Sequence, residues 1–104
     1  MKLTDAAICV FDLETTGTDP ARDRIIQACF VLGVDNITGL FDPAMPIPEE
    51  VQKLTGITNE MVRGKPGFSS KAEPIREMIL RADALAGSGI LRFDIPVLAE
   101  EFIC

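Results

Sequence analysis

The chain contains no histidine and no tyrosine in its 104 residues. A mechanism that relies on either side chain as general base is therefore incomplete within this sequence. Cationic residues are scarce as well: 10 Lys and Arg stand against 16 Asp and Glu, for a net charge of −6. Nonspecific binding to a polyphosphate rests on Lys and Arg displacing counterions, so this balance opposes it, and a nucleic-acid role needs local compensation. Cysteine is limited to Cys9, Cys29 and Cys104, with no CxxC and no Cys/His spacing, which argues against a zinc site or a redox pair. Cys9 and Cys29 lie in apolar runs and read as small buried hydrophobes. No apolar run near the start suits a signal-peptide core or a membrane span: AAICVF is short and follows Thr4 and Asp5. The expected location is the cytoplasm, with no membrane partner.

What is present describes one globular unit. The hydrophobic fraction is 47% and the charged fraction 25%, at a length typical of a single domain, and no segment repeats. Residues 1–104 are expected to form one domain. AAICVFDL (6–13) is apolar and β-branched without helical period, and reads as a buried strand ended by Gly17 and Asp19-Pro20. RIIQACFVLGV (24–34) reads as a second strand. Asp35-Asn36 and Gly39 suggest a turn before a short third strand around Leu40 to Asp42, antiparallel to the second.

PEEVQKLTG (48–56) predicts a short helix, with Pro48 in its first turn, Glu49 and Glu50 at the positive end of the dipole, and Gly56 closing it. NEMVRG suggests one more turn. From Ser70 to Ala84, Ile75, Met78, Ile79 and Ala82 recur at helical spacing, with Ser70 and Glu73 as a candidate capping box or Pro74 as the start. ALAG (84–87) reads as a fourth strand and FDIPVLAEEF as a further helix beginning near Asp94. Strand, helix, strand implies a right-handed crossover, and so parallel pairing of the first and fourth strands. The expected fold class is α/β, a mixed sheet with helices on its faces.

The stretch FDLETTG (11–17) interrupts this pattern, because Asp12 and Glu14 stand where apolar residues are expected. Residues two apart on a strand share a face, so the two carboxylates project together while Leu13 packs the other way. Adjacent like charges are unfavourable unless a cation or a shared proton relieves them. One reading is a solvated strand end with a local ion pair to Arg22 or Arg24. The other is a site for magnesium or manganese, hard cations that take carboxylate oxygens and keep several waters. Asp94 in RFDIP is either a helix N-cap or a third acid returning to the same end of the sheet.

FDLETTG, DRIIQACFVL, PIPEEVQKLTGIT and GSGILRFDIPVLAEEF together resemble the DnaQ-like 3′–5′ exonucleases of the DEDD superfamily, whose fold is ribonuclease-H-like. The resemblance runs from about Ile8 to Phe102. It implies a ribonuclease-H-like mixed sheet and places two metal-ligating catalytic acids at Asp12 and Glu14 and a third at Asp94. It also implies that Thr15, Thr16 and Gly17 hold the terminal nucleotide and that Ile57 and Phe93 pack against it. Read without the resemblance, Gly17 is a turn residue and Ile57 and Phe93 are ordinary core. The implied chemistry is hydrolysis at single-stranded DNA or RNA 3′ ends with two Mg²⁺ or Mn²⁺ ions, which in such sites lie roughly 3.5–4 Å apart.

This sequence departs from that family's pattern in its third motif, a His or Tyr followed by Asp, which no residue here matches. The expectation is a domain truncated after the second motif, without the family's C-terminal strand and helix. Self-association, or pairing with a polypeptide that carries the missing segment, would then cover the open edge. Ser88 and Gly89 also replace the residues usual before the FD pair. Two competing readings follow: an inactive domain that binds nucleic acid or protein, and an aspartate-nucleophile phosphatase in which Asp12 attacks phosphate.

Overall fold

The computed structural model describes residues 7–87. Four strands and three helices follow one another along this stretch. Strand β1 (Ile8–Thr15) leads to β2 (Ile25–Leu32) and β3 (Asp35–Leu40). Helices α1 (Glu49–Thr55), α2 (Asn59–Val62) and α3 (Ser69–Arg81) come next, and β4 (Ala84–Gly87) closes the described chain.

The sheet order is β3-β2-β1-β4, with β1 antiparallel to β2 and parallel to β4. The parallel pairing expected from the strand–helix–strand pattern is therefore present, and β1 is a central strand. Its burial alternates: Cys9, Phe11 and Leu13 are buried, whereas Ile8, Val10 and Asp12 are exposed. The buried set meets Ala28, Phe30 and Leu32 of β2 and Ile75 and Met78 of α3 in the main core. Phe11 and Phe30, opposite one another in the register, stack with ring centroids 5.2 Å apart.

Ile26 is an extra residue in β2, since Glu14 pairs with Gln27 but Thr15 with Ile25. This bulge lets Ile25 join the main core while Ile26 joins a second cluster with Ile47, Ile57 and Val62. Bulges re-aim side chains next to functional sites, and here the bulge lies beside Glu14.

Three local expectations need correction. The β2–β3 turn is Gly33-Val34, and Asp35, Asn36 and Gly39 lie inside β3. Gly33 supplies the left-handed backbone (φ 62°) that a two-residue hairpin favours, which makes an Asp-Asn turn unnecessary. The capping box of Ser70 and Glu73 does not form, because α3 begins at Ser69 with Phe68 as N-cap and no side-chain cap. Burial of Phe68 in the core decides where that helix starts. Finally, Ala82 is extended rather than helical. Asp83 and Ala84 instead donate backbone hydrogen bonds to the Ala7 carbonyl, drawing the chain into β4.

Helix α1 matches its expected span, with Gly56 at φ 76° donating its backbone N–H to the Gln52 carbonyl. No helix among the described residues is long and apolar enough to cross a membrane.

Candidate active site

Asp12 and Glu14 lie on one side of β1, where Asp12 is exposed and Glu14 half-buried, while the intervening Leu13 is 8% exposed in the core. They face Cys29 and Gln27 across the β1–β2 ladder. On the other flank β4 ends beside them, Gly87 being the register partner of Phe11. Hence the chain leaves β4 at the end of the sheet that carries Asp12. Asp94 and Phe93 lie outside the described residues, and among the described residues no group of three His, Cys, Asp or Glu could hold a metal ion.

Past Glu14 the chain makes a tightly bonded turn. Thr15 donates its hydroxyl to the Gly17 carbonyl at 2.7 Å. Thr16 is fully buried; its hydroxyl donates to Asp23 Oδ1 at 2.9 Å and accepts the Arg24 backbone N–H at 3.0 Å. Asp23, 7% exposed, also accepts the Asp19 N–H on Oδ2 at 2.8 Å. The Asp19 carbonyl in turn accepts the Asp23 N–H, and the Arg24 carbonyl accepts the Thr16 N–H. A buried carboxylate that accepts several N–H and O–H donors is a strong local organiser, because leaving any of them unpaired costs more than the bond gains. Gly17 is a requirement of the same packing: a Cβ there would lie 2.5 Å from Asp23 Oδ2.

The expected substrate residues thus fall into different environments. Thr15 and Gly17 are partly accessible, whereas the Thr16 hydroxyl and N–H are both committed within the protein. Ile57, 3% exposed, belongs to the second cluster. Beside Thr15 and Gly17 runs a groove of about 270 Å³ whose other wall is Val51, Leu54 and Thr55 of α1. Leu54 is 85% exposed there.

Neither Leu54 nor Asp23 was singled out by sequence reasoning. Leu54 could have been found from its place three residues after Val51 on α1, which puts two apolar side chains on one helical face. Asp23 had no such signal, because its role comes from a fold-dependent contact seven residues away.

A profile of the exonuclease family RNase_T matches residues 9–103. The DNA polymerase III PolC-type of Listeria welshimeri is 35% identical over 94 residues, covering 86% of this chain and 6% of that protein. The 3′–5′ exonuclease DinG of Bacillus subtilis is 38% identical over 76 residues, covering 67% of this chain and 8% of that protein. For the DNA polymerase III subunit epsilon of Aquifex aeolicus the identity is 38% over 69 residues, covering 62% of this chain and 34% of the subunit. The chain therefore spans a minor part of each of these relatives. A solved structure of exonuclease I superposes with a TM-score of 0.82 at 23% identity, over 95% of this chain and 24% of that one. The likeness is one of fold, and the fold is ribonuclease-H-like. Another solved form is E. coli exonuclease I with a dA16 oligonucleotide, at a TM-score of 0.81 and 23% identity, over 95% of this chain and 24% of that one.

Proposed function

This chain belongs to the DnaQ-like exonuclease family, and on that premise we propose that it is a 3′–5′ exonuclease domain acting on single-stranded DNA or RNA ends with two divalent cations. The observation that carries this reading is the pair Asp12 and Glu14, side by side at the end of a central strand and next to a turn locked by Asp23. Two carboxylates on one face suit Mg²⁺ or Mn²⁺, ions that bind one or two acids and keep waters for a phosphate to displace. Asp12 and Glu14 are the proposed ligands, with Asp94 as a third. Asp94 lies seven positions after Gly87, a reach of at most about 25 Å, so the chain leaving β4 can bring it to Asp12. When bound, such an ion pair supplies stabilisation of the charge on the attacking and leaving oxygens of a phosphodiester.

The chain's own residues do the positioning. Thr15 and Gly17, both partly accessible, lie beside the carboxylates, and the α1 groove offers apolar surface to a terminal base or sugar. No His or Tyr exists here to act as general base, so hydrolysis is expected to fall about 10²–10⁴-fold short of a site that has one.

The test is the purified chain with 5′-labelled single strands, in Mg²⁺, in Mn²⁺ and in EDTA. Slow, cation-dependent shortening from the 3′ end that disappears in Asp12→Ala supports the proposal. The lack of His and Tyr favours a second reading, a domain that binds nucleic acid without cutting it. Cation-dependent binding with no cleavage would select that one. A phosphorylated Asp12 would instead revive the phosphatase reading, and loss of both binding and cleavage would sink the two nucleic-acid readings together.

A further inference from the structure

The sequence poses an electrostatic problem for a nucleic-acid enzyme, since a net charge of −6 and two site carboxylates repel a phosphate backbone. The cations are distributed unevenly. Arg22 pairs with Asp19, Lys53 with Glu49, Arg76 with Glu73 and Arg81 with Asp35. Arg24 is also engaged. Among the described residues, Arg63, Lys65 and Lys71 enter none of these pairs, and all three are exposed.

They fall in one acid-free stretch, MVRGKPGFSSKA (61–72), between Glu60 and Glu73. Those 12 residues carry +3 in a chain of −6, leaving −9 on the rest. The stretch links α2 to α3, and the fold ties it to the candidate site. The Asp42 N–H donates to the Pro66 carbonyl at 3.0 Å, fixing the loop beside the 42–46 connection. From that connection Met45 reaches Thr16, whose hydroxyl lies 3.6 Å from its Sδ. Met45, Val62 and Arg63 then line one cleft of about 370 Å³, which puts Arg63 beside the connection that covers Thr16. Asp42 also lines that cleft, where its Oδ1 accepts the Ala44 N–H and its charge shares the cleft with Arg63 as the one acid among the described lining residues.

We propose that Arg63, Lys65 and Lys71 form a docking surface for the phosphate backbone of a single strand, engaging nucleotides upstream of the end held at Asp12 and Glu14. This inference rests on the exonuclease reading above. Backbone contacts of this kind add affinity without sequence preference and grow with strand length. Each phosphate contact on a single strand contributes about 0.7 to the slope of log affinity against log salt.

Fluorescence anisotropy on the full chain tests it, using oligothymidine strands of about 4 and about 12 nucleotides and an oligouridine of the longer length. Wild type should bind the longer strands more tightly, and the oligouridine arm shows whether RNA shares the surface. Arg63→Gln/Lys65→Gln/Lys71→Gln should lose that length-dependent gain and lower the salt slope by about 2, with an unchanged thermal melt. Arg76→Gln/Arg81→Gln, which removes paired cations elsewhere, should leave the slope unchanged. An unaltered slope and length dependence in the triple variant overturns this inference while leaving the exonuclease reading intact. Equal losses per charge in the two variants overturn it too, because net charge alone would then explain binding. If wild type binds none of the strands even at low salt with Mn²⁺, the exonuclease reading itself falls.

Discussion

The two faces of β1 part company at the strand's end, where one stays apolar through Leu13 and the other turns from Ile8 and Val10 to Asp12 and Glu14. One face presents Cys9, Phe11 and Leu13 to α3, and the other presents Ile8, Val10 and Asp12 to solvent. On the first face apolar side chains of suitable volume serve, because burial of apolar area is non-directional while an unbonded polar group there is costly. On the second, the strand ends in two carboxylates that share one side, Asp12 exposed and Glu14 half-buried. On the proposed reading, packing and cation binding are thus divided between the two faces of a single strand. Substitutions on the two faces should produce different phenotypes.

The largest loss is expected on the packed face. Phe30 is fully buried and stacked on Phe11. Phe30→Ala should cost about 3–5 kcal/mol, enough to unfold much of a small domain. A denaturant melt measures it, and a cost below about 1 kcal/mol would mean that the sheet–α3 core is looser than the burial indicates.

Gly17→Ala is expected to come second, at about 1–3 kcal/mol, since its Cβ would press on the Asp23 carboxylate and that group is held by Thr16 and Asp19. This substitution sharpens the comparison because it lies beside the carboxylates yet acts through packing. Asp23→Ala made together with it should recover part of the clash while losing the turn's hydrogen bonds. The measurement is a double-mutant cycle on melting free energy, and additivity would show that the two residues do not touch.

How much of this was readable from the sequence differs between the two faces as well. The strand of Asp12 and Glu14, the ALAG strand and their parallel pairing followed from apolar runs around a helical segment. Helix α1 followed from its Pro48 and Gly56 punctuation. Those signals are local, or depend on chirality alone. The β2–β3 turn was misplaced because Asp35-Asn36 and Gly39 have turn propensity that strand pairing overrides, while Gly33 supplies the needed φ. The start of α3 at Ser69 depends on docking Phe68 against Phe41, a contact 27 residues away in sequence. Asp23 carries no periodic or turn signal of its role. Nothing in its neighbours announces that Thr16 folds over it.

A smaller effect is expected from pH, again on the packed face. Burial pushes the Cys9 thiol above its ordinary value, opposed in part by a backbone hydrogen bond from Val31. For a raised folded-state value the native chain holds its proton more tightly than the unfolded chain. The associated stability is fully present below the ordinary thiol value of 9.0 and is lost as pH rises through the folded value. One proton limits the slope to about 1.4 kcal/mol per pH unit. Melts of wild type and Cys9→Ala compared between neutral and alkaline pH should converge as pH rises, and parallel curves would mean that Cys9 does not titrate differently on folding.

The smallest stability effect, and the one that tests the comparison most directly, is expected for Asp12→Asn. Asp12 is exposed on β1, and its nearest like charge along the strand is Glu14 on the same side. Replacing one carboxylate by an amide of similar size removes repulsion without opening a cavity. In EDTA the variant should therefore be as stable as wild type, or more stable by a few tenths of a kcal/mol, in line with surface substitutions generally. Adding Mn²⁺ should reverse the order. A ligand that binds only the native state stabilises it by RT ln(1 + [L]/Kd), about 2.7 kcal/mol at a hundredfold excess over Kd, and the variant has lost a proposed ligand. Wild type should then gain melting temperature with Mn²⁺ while Asp12→Asn stays near its value in EDTA. Calcium-free melts across a manganese titration read the difference. Equal shifts in both proteins would place the cation elsewhere, and the solvent face of β1 would then be no more than a charged strand end.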